Sequence, residues 1–331
     1  MSLDNTVSEL IQRVRDITDE SNTSDINDPL VMRMLNRAQQ EMVRTLTRHY
    51  KNHFMREEVF TSSDLVADVN GQSRIVKVAD QSFGFAVNAV DGKIGTSWFP
   101  INQVPFSYTL GYDNTTTGGL PLSYAMQGQK IFLYPAPSSG VEIRVRYQFR
   151  APQLVAPQGR ITASTSSTLT LDALGSGLST SVDTLGAFIN IVDHLTGEIK
   201  ATMQVTGGIG STDKTIDVQT DADTLAGVRT EVFGYTTTAT MPTNISKDDY
   251  VCSASGTCVP LLAHDLTNYL VDIASFYIKR KLGTVESADF ADREEIMKAI
   301  KGMQFGRQYT KKIKRSQGIG GYSWNSFFRG S

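Results

Sequence analysis

The carboxylates in the N-terminal part of the chain are the first candidates for chemistry. Hydrolysis of a glycosidic bond needs two carboxyl groups held about 5 to 10 Å apart. Glu20, Glu41, Glu57 and Glu58 are available, but neither their spacing nor their neighbours distinguish a pair. A Gly-x-Ser-x-Gly motif, which would present a nucleophilic serine, does not occur in the sequence. We therefore expect no catalytic residue and no enzymatic activity.

Histidines and cysteines offer two places for metal or redox chemistry. His49 and His53 have a metal-compatible i, i+4 spacing, but no glutamate lies between them to act as a base. Cys252 and Cys258 have no further His or Cys close in sequence, whereas a zinc ion needs about four ligands. We expect two free thiols, with a small disulfide-closed loop as the alternative. No metal and no cofactor is predicted.

Cations in the segment 28–51 recur with the period of a helix. Asp28 as N-cap and Pro29 at the first helical position predict where this helix begins. At ~100° per residue, five cations gather within about 60° of arc, opposite the apolar stripe. They are Arg33, Arg37, Arg44, Arg48 and Lys51. The face they form is a solvated surface, an interface with acidic groups at positions 16–20 of a neighbouring subunit, or a contact with DNA phosphates.

The last residues of the chain combine cations with bulky aromatics. No acidic residue follows Glu295, and residues 316–331 have neither a helical nor a strand period. The basic and aromatic residues of the segment 307–331 are Arg307, Tyr309, Lys311, Lys312, Lys314, Arg315, Tyr322, Trp324, Phe327, Phe328 and Arg329. Aromatic side chains are costly to leave in water, so we expect this segment to become ordered against a partner. A solvated tail and contact with nucleic acid are the alternatives.

Length and composition bound the class of protein. The chain has 331 residues, of which 40% are hydrophobic and 20% charged, which is typical of a soluble globular protein with a substantial core. A net charge of −2 argues against a surface that binds nucleic acid throughout. No apolar run approaches the ~20 residues of a membrane span, and the N-terminus lacks the features of a signal peptide. Synthesis in a cytoplasm and no membrane partner are expected.

Helices are predicted at both ends of the chain. Thr6 and Glu9 have capping-box spacing before an apolar helical stripe, and a second helix follows, so residues 1–56 read as a helical hairpin. Near the C-terminus, Val259-Pro260 predicts the start of a third helix, and a fourth follows within 247–306. These four helices are expected to form one bundle.

Strand patterns occupy the segment 57–156. Asn70-Gly71 and Asp91-Gly92 are typical hairpin-turn dipeptides. Residues 141–150 alternate strictly between apolar and polar, which predicts a half-buried strand. Together with the run Lys130–Tyr134 and the Pro-rich loop between them, they predict an antiparallel hairpin over 130–150. This segment is interpreted as a β-sandwich or barrel module.

The segment 157–246 differs in composition. It is rich in Thr, Ser, Gly and Asp, contains no Trp, and carries short strand-like runs separated by glycine clusters. We interpret it as a second β domain inserted into the first architecture, with a docking surface or a purely decorative role as the two alternatives. The fold class is therefore α+β: a helical bundle from the N- and C-terminal helices, an antiparallel β-sandwich or barrel module, and a second, inserted β domain.

The central strands carry a family resemblance. Pro121 and Tyr124 lead into a strand that ends in Tyr-Pro-x-Pro at 134–137, and the next strand ends with Tyr147 and Pro152. With helices at both ends of the chain, this pattern resembles the neck-adaptor proteins of short-tailed phages. The resemblance covers the helical N-terminus, the central strands and the C-terminal helices, but not the inserted segment.

This resemblance implies a structural virion protein, made in the host cytoplasm, that forms a head-to-tail adaptor ring. Such a ring, a dodecamer matching the portal, would join the portal to tail nozzle or fibre proteins and surround the DNA exit channel, without reading the DNA sequence. The segment 307–331 would then dock on the portal, and the cationic helix face would line a subunit interface or the channel. The alternatives are a fibre- or receptor-associated protein whose inserted domain binds carbohydrate and, third, a cell-wall hydrolase, an activity reported for some such adaptors.

Overall fold

A computed structural model of the protein describes most of the chain. The described residues are 5–18, 26–49, 54–69, 71–77, 82–107, 119–128, 130–149, 151–175, 178, 188–210, 214–218, 231–232, 235–236, 241, 243–262 and 264–302. The chain divides into two compact units, Met1–Lys301 and Gly302–Ser331, and the architecture below is that of the first unit.

The described residues form four α-helices and two larger sheets, which confirms the α+β class. The helices are α1 (Val7–Thr18), α2 (Asp28–His49), α3 (His264–Leu282) and α4 (Ser287–Gly302). The strands of the first sheet are β1 (Met55–Phe60), β2 (Val66–Ala67), β3 (Ser73–Lys77), β4 (Ser82–Ile94), β5 (Ser97–Gln103), β6 (Ser123–Gln127), β7 (Lys130–Tyr134) and β8 (Glu142–Phe149). The other strands are β9 (Gln153–Leu154), β10 (Pro157–Ser164), β11 (Thr168–Leu171), β12 (Phe188–Val192), β13 (Ile199–Gly210), β14 (Thr215–Val218), β15 (Glu231–Val232), β16 (Tyr235–Thr236), β17 (Tyr250–Ser253) and β18 (Gly256–Thr257).

The eight-stranded sheet curls around a single apolar core. Its strand order is β1-β8-β4-β5-β6-β7-β3-β2, and the β5–β6 pair is parallel. Phe60 of β1 and Val76 of β3 belong to the same buried cluster although their strands lie near opposite edges, so the sheet must bend around it. In β8 the alternation is confirmed: Ile143, Val145 and Tyr147 are fully buried, and the residues between them are half-exposed.

The predicted hairpin over 130–150 is wrong. β7 pairs with β6 and β3, whereas β8 pairs with β1 and β4, so the two strands share a sheet without being neighbours. The tight turn lies instead between β6 and β7 at Gly128, whose φ of +60° suits glycine. The Pro-rich loop that follows β7 is long enough to cross to another position in the sheet, which the alternation of β8 could not reveal.

The predicted turn at Asp91-Gly92 is also wrong. Both residues lie inside β4, and the chain reverses at Gly95, where φ is +58°. Asp91 is held by arginines of β8, and a Cβ at Gly92 would overlap the side chain of Leu120. Cross-strand contacts therefore explain this dipeptide, which carries a turn signature without forming a turn. Gly71, the described residue of the other dipeptide, lies in the turn between β2 and β3 with φ of +77°, as predicted.

A six-stranded closed barrel follows the curled sheet. Its strand order is β10-β11-β14-β13-β12-β17, and β10 closes it by pairing with both β11 and β17. Ile161, Ile191, Met203 and Val251 come from four of its strands and form one buried core. The last strand, β17, lies beyond the predicted limits 157–246, so the barrel takes its closing strand from the segment assigned to the C-terminal helices. The domain limits themselves stay a prediction.

The helices pack mainly through α3, which contacts both α1 and α2. α2 begins at Asp28, but its cap is the preceding Asn27, whose Oδ1 accepts the N–H of Leu30 at 3.0 Å. Asp28 is left to pair with Arg15 at 2.7 Å. α3 starts later than predicted, because Val259 is buried against the barrel end with Val192 and Tyr250. Among the described residues, no helix is long and apolar enough to cross a membrane.

A two-residue strand, β9, joins the helices, the sheet and the barrel. It pairs in parallel with β18. The side-chain amide of Asn36 in α2 donates to the Leu154 carbonyl at 2.9 Å and accepts the Leu154 N–H at 2.7 Å. Gln39, one turn later, donates to the Pro152 carbonyl at 2.7 Å. α2 thus satisfies the backbone of the segment that leads from the sheet into the barrel.

This junction makes Gly256 intolerant of a side chain. A Cβ at Gly256 would overlap the Gln153 carbonyl oxygen, a backbone atom that cannot rotate away. We expect Gly256→Ala to lower the free energy of unfolding by about 1–3 kcal/mol in urea titrations. Gly207→Ala is the control, because its Cβ would meet only Asp217 Oδ2 at 4.0 Å, and it should change stability by less than about 0.5 kcal/mol. Equal losses of stability in the two variants would contradict the close contact between Gly256 and the Gln153 carbonyl oxygen.

Candidate functional site

The cationic side of α2 is exposed as the sequence predicts. We define the arginine face as Arg33, Arg37, Arg44 and Arg48. All four side chains are exposed, while the opposite side of the helix buries Leu35, Met42 and Leu46. Lys51, the fifth predicted member, lies outside the described residues.

One member of the arginine face is held by the protein itself. The Arg37 guanidinium lies 4.2 Å from the ring centroid of Tyr277 in α3. Within the described part of the chain, Arg33, Arg44 and Arg48 have neither an ion pair nor a hydrogen bond. Three guanidinium groups on one helix side are therefore left to solvent or to another molecule.

A polar cluster beside the arginine face fastens α4 to α2 and α3. Glu41 binds Arg293 at 2.5 Å through one oxygen and accepts the Tyr277 hydroxyl through the other. Arg293 also lies over the Phe276 ring at 5.1 Å. Burial, and then the hydrogen bond to Glu41, raise the pKa of Tyr277. Sequence reasoning missed this cluster, because its partners are separated by 236 and 252 residues.

Charges on the outer face of the curled sheet neutralise one another. Arg144 Nη2 and Arg146 Nη2 lie 2.8 and 3.1 Å from Asp91 Oδ2. Arg146 Nε lies 2.9 Å from Glu57 Oε2. The Arg144 guanidinium also stacks on Trp98, 4.4 Å from the ring centroid. The polar side of β8 is thus paired with its neighbouring strands rather than left for a partner.

The glutamates considered for hydrolysis contact arginines wherever they are described. Glu41 binds Arg293, and Glu57 binds Arg146. Glu58 Oε1 lies 4.0 Å from Arg56 Nε. Carboxylates held by guanidinium groups are typical of structural ion pairs. Glu20 lies outside the described residues.

The barrel contains a buried charge cluster that the sequence did not indicate. Asp193, His194 and Asp249 bring three metal-type ligand atoms together. The Lys200 ammonium group binds both carboxylates, at 2.9 Å from Asp193 and 2.8 Å from Asp249, so it supplies the positive charge there. Burial opposes the charged form of Lys200, but hydrogen bonds to Asp249 and Asp193 outweigh it and raise the pKa. This cluster ties β12, β13 and the start of β17 together.

The cysteines are free thiols, as expected. Cys252 and Cys258 are both buried. Burial, and then the hydrogen bond with Cys258, raise the pKa of Cys252 well above its usual value. The Cys252 thiol points to the Gly256 carbonyl at 3.4 Å. A buried thiol that resists ionisation is a poor nucleophile and a poor metal ligand.

The segment 307–331, with all of its basic and aromatic residues, lies outside the described residues, as does His53. His49 is exposed at the end of α2. The predicted portal-docking role therefore stays a prediction.

Comparison with known proteins identifies the family. A family model described as SU10 adaptor protein matches residues 5–174, just over half of the chain. The chain belongs to the SU10 adaptor protein family. The match includes α1, α2, the whole curled sheet, β9 and the first two barrel strands. A search of curated proteins returned no match.

Membership in the SU10 adaptor family confirms the resemblance to phage adaptors. The family consists of structural adaptors of phage particles, so the chain is a virion component. The arginine face and the β9 junction with α2 both lie inside the matched region, whereas α3 and α4 lie beyond it.

The buried charge cluster predicts a large loss of stability on removal of its cation. The Asp249 side chain is fully buried and Lys200 is 10% exposed, so Lys200→Met leaves a buried carboxylate uncompensated. We expect the free energy of unfolding to fall by about 3–5 kcal/mol at neutral pH. Lys298→Met is the control, because its ion pair with Glu294 is about 70% exposed and should contribute less than about 1 kcal/mol. Similar losses in both variants would contradict the role of burial.

The same cluster predicts an acid-dependent part of stability. Burial opposes the ionised form of Asp193, but hydrogen bonds from Lys200, Thr196 and Leu195 outweigh it and lower the pKa well below 3.8. When the pKa of a carboxyl group is lower in the folded state than in the unfolded state, its ionised form stabilises the fold at pH values above the unfolded-state pKa. This contribution is lost as pH falls below about 4. The stability difference between wild type and Asp193→Asn should therefore be largest at neutral pH and shrink below pH ~4.

Urea titrations between neutral pH and pH ~2 measure this difference. Leu195→Ala is the control: its side chain is 78% exposed, and the substitution keeps the N–H that Asp193 accepts. We expect this variant to match the wild type across the range. If the difference in the free energy of unfolding between wild type and Asp193→Asn does not vary with pH, the lowered pKa of Asp193 is contradicted.

Proposed function

We propose that this chain is one subunit of a head-to-tail adaptor ring, which joins the portal to the tail and surrounds the DNA exit channel. The observation that carries the proposal is the arginine face, which lies inside the family-matched region. Three of its four guanidinium groups have no partner within the described residues, as expected of a surface that is covered only after assembly. Family membership supports the class of assembly, and the ring is our extension of it.

Ring closure requires one contact that repeats from subunit to subunit. Such a contact is heterologous, because two different surfaces of the same chain meet, and it closes when the rotation per subunit divides a full turn. A dodecamer that matches the portal is what the resemblance to neck adaptors implies. A helix with one apolar side and one cationic side, like α2, suits this arrangement, because one side builds the subunit and the other remains available.

The two ends of the proposed ring have different chemistry. The segment 307–331 carries cations and aromatics without acids, and we assign it to the portal side. The β-rich part, with the closed barrel, is assigned to the tail side, where nozzle or fibre proteins would bind. DNA would pass through the centre without sequence-specific contacts, as the resemblance to neck adaptors implies. A net charge of −2 also gives the chain no overall attraction for DNA phosphates.

The experiment mixes the purified chain with portal rings of the same phage. We expect co-sedimentation and ring-shaped density on one face of the portal in negative-stain micrographs. A chain that stays in the supernatant as single subunits at every tested concentration would overturn the proposal. Binding to glycans without portal binding would favour the carbohydrate-binding alternative instead.

The proposed portal-docking segment predicts the effect of a truncation. Deleting the residues after Arg307 should abolish co-sedimentation with the portal while leaving the urea midpoint unchanged, because the four helices, the curled sheet and the barrel all lie before it in the chain. A full-length variant with the four last aromatics replaced by alanine tests the role of side chains rather than chain length. We expect a loss of at least tenfold in affinity, since buried aromatics dominate such contacts. The aromatic positions are Tyr322, Trp324, Phe327 and Phe328. Unchanged portal binding by the truncated chain would refute the assignment.

A further inference from the structure

The arginine face is a row of the right length to span an interface. Arg33 and Arg48 are fifteen positions apart in α2, which corresponds to about 22 Å along the axis. Arg37 is held by Tyr277, so the residues that remain available are Arg33, Arg44 and Arg48. Their guanidinium groups are always charged and suit planar, bidentate contact with carboxylates.

A cavity of about 350 Å³ lies between α3, α4 and the end of α1. Asp272 of α3 and Asp292 of α4 both line it. Within the described part of the chain, neither aspartate forms an ion pair. The two cations in the lining are already engaged, because Lys279 pairs with Asp289 at 2.9 Å and Arg293 pairs with Glu41. The cavity therefore presents two carboxylates that have no ion pair within the described residues; we call it the acidic cavity.

The surroundings of Asp272 show that this negative charge is disfavoured in the isolated subunit. Burial raises the pKa of Asp272, the charge of Arg13 lowers it in part, and the charge of Asp292 raises it again. The cavity wall also includes Phe276 and Ile296. A cation on an apolar stem would match both features, with the stem on the apolar wall and the charge beside the carboxylates. Arginine has this composition.

We propose that the arginine face of one copy docks on the acidic cavity of a second copy. The two surfaces lie on the same chain, yet Arg33, Arg44 and Arg48 do not pair with Asp272 or Asp292 of their own subunit. Because the contact would join two different surfaces, it can repeat from one copy to the next around a ring. This inference rests on the proposed function and adds to it which surfaces meet and that charge complementarity selects them.

A second copy fits the arginine face better than DNA does. A phosphate-binding surface usually collects many cations over a broad area, because affinity grows with the number of neutralised phosphates. Here Glu41 lies on the same helix beside the row, and the chain as a whole is slightly acidic. Opposite charge of matching chemistry is available on the chain itself, in the acidic cavity.

The test is a charge exchange in the full-length chain. Arg44→Glu and Asp292→Arg each place like charges at every contact, so each variant alone should assemble at least tenfold more weakly than wild type. In an equimolar mixture, alternating copies meet with opposite charges at every contact. We expect the mixture to recover assembly to within about threefold of wild type. Assembly is measured by sedimentation velocity with and without portal rings.

Controls separate this inference from the proposed function. Lys247→Glu makes the same change of charge as Arg44→Glu at an exposed position of the barrel segment and should leave assembly unchanged. Both exchanged residues are exposed, and matching urea midpoints would exclude misfolding. If wild type assembles and the single variants do too, or if the mixture fails to recover, the charge contact is refuted while the ring survives. If Arg44→Glu assembles normally but loses DNA binding, the face lines the channel instead. If wild type never assembles, the proposed function itself fails.

Discussion

The fold depends on the hydrogen bonds that satisfy the backbone of β9, the short segment between the curled sheet and the barrel. β9 contributes only two residues, yet its backbone groups are paired on one side by β18 and on the other by Asn36 of α2. Leu154 is 1% exposed, so these backbone groups could not be satisfied by water. Gly256 permits the close approach on the β18 side. One short segment thereby connects helices, sheet and barrel, and each of the three restrains the other two.

Some charged side chains of this protein form ion pairs that hold the subunit together. Others have no ion pair within the described residues. The sheet uses Arg144 and Asp91, the barrel uses Lys200 and Asp249, and the helices use Glu41 and Arg293. Each pair links elements that are distant in sequence, and the barrel pair is the most buried of these three. The arginine face and the acidic cavity are among the charged surfaces that have no ion pair in the described part of the chain. A structural adaptor needs charged surfaces that are unpaired in the single subunit, because its interfaces form only when subunits meet.

Sequence patterns predicted the helices and the buried side of β8 well, because periodicity reports which side of an element faces a core. They failed where the partner strand had to be chosen. The alternation of β8 is equally compatible with β7 or β4 as a neighbour, and the Pro-rich loop fits a turn or a crossover. The Asp91-Gly92 dipeptide has a turn signature, but its side chains serve cross-strand contacts. Local sequence signals indicate where a turn is favourable, but they carry no information on which residues lie across the sheet.

The amino-acid sequence alone determined the α+β class, the exposure of the cationic side of α2, and the family pattern in the central strands. These depend on residues near one another in the chain, whose spacing decides burial through helical or strand geometry. Tertiary structure alone decided the strand order, the closing of the barrel by β17, the Lys200 cluster and the acidic cavity. Each of these joins residues tens to hundreds of positions apart. Such pairings are selected by the packing of the whole chain, and no local period records them.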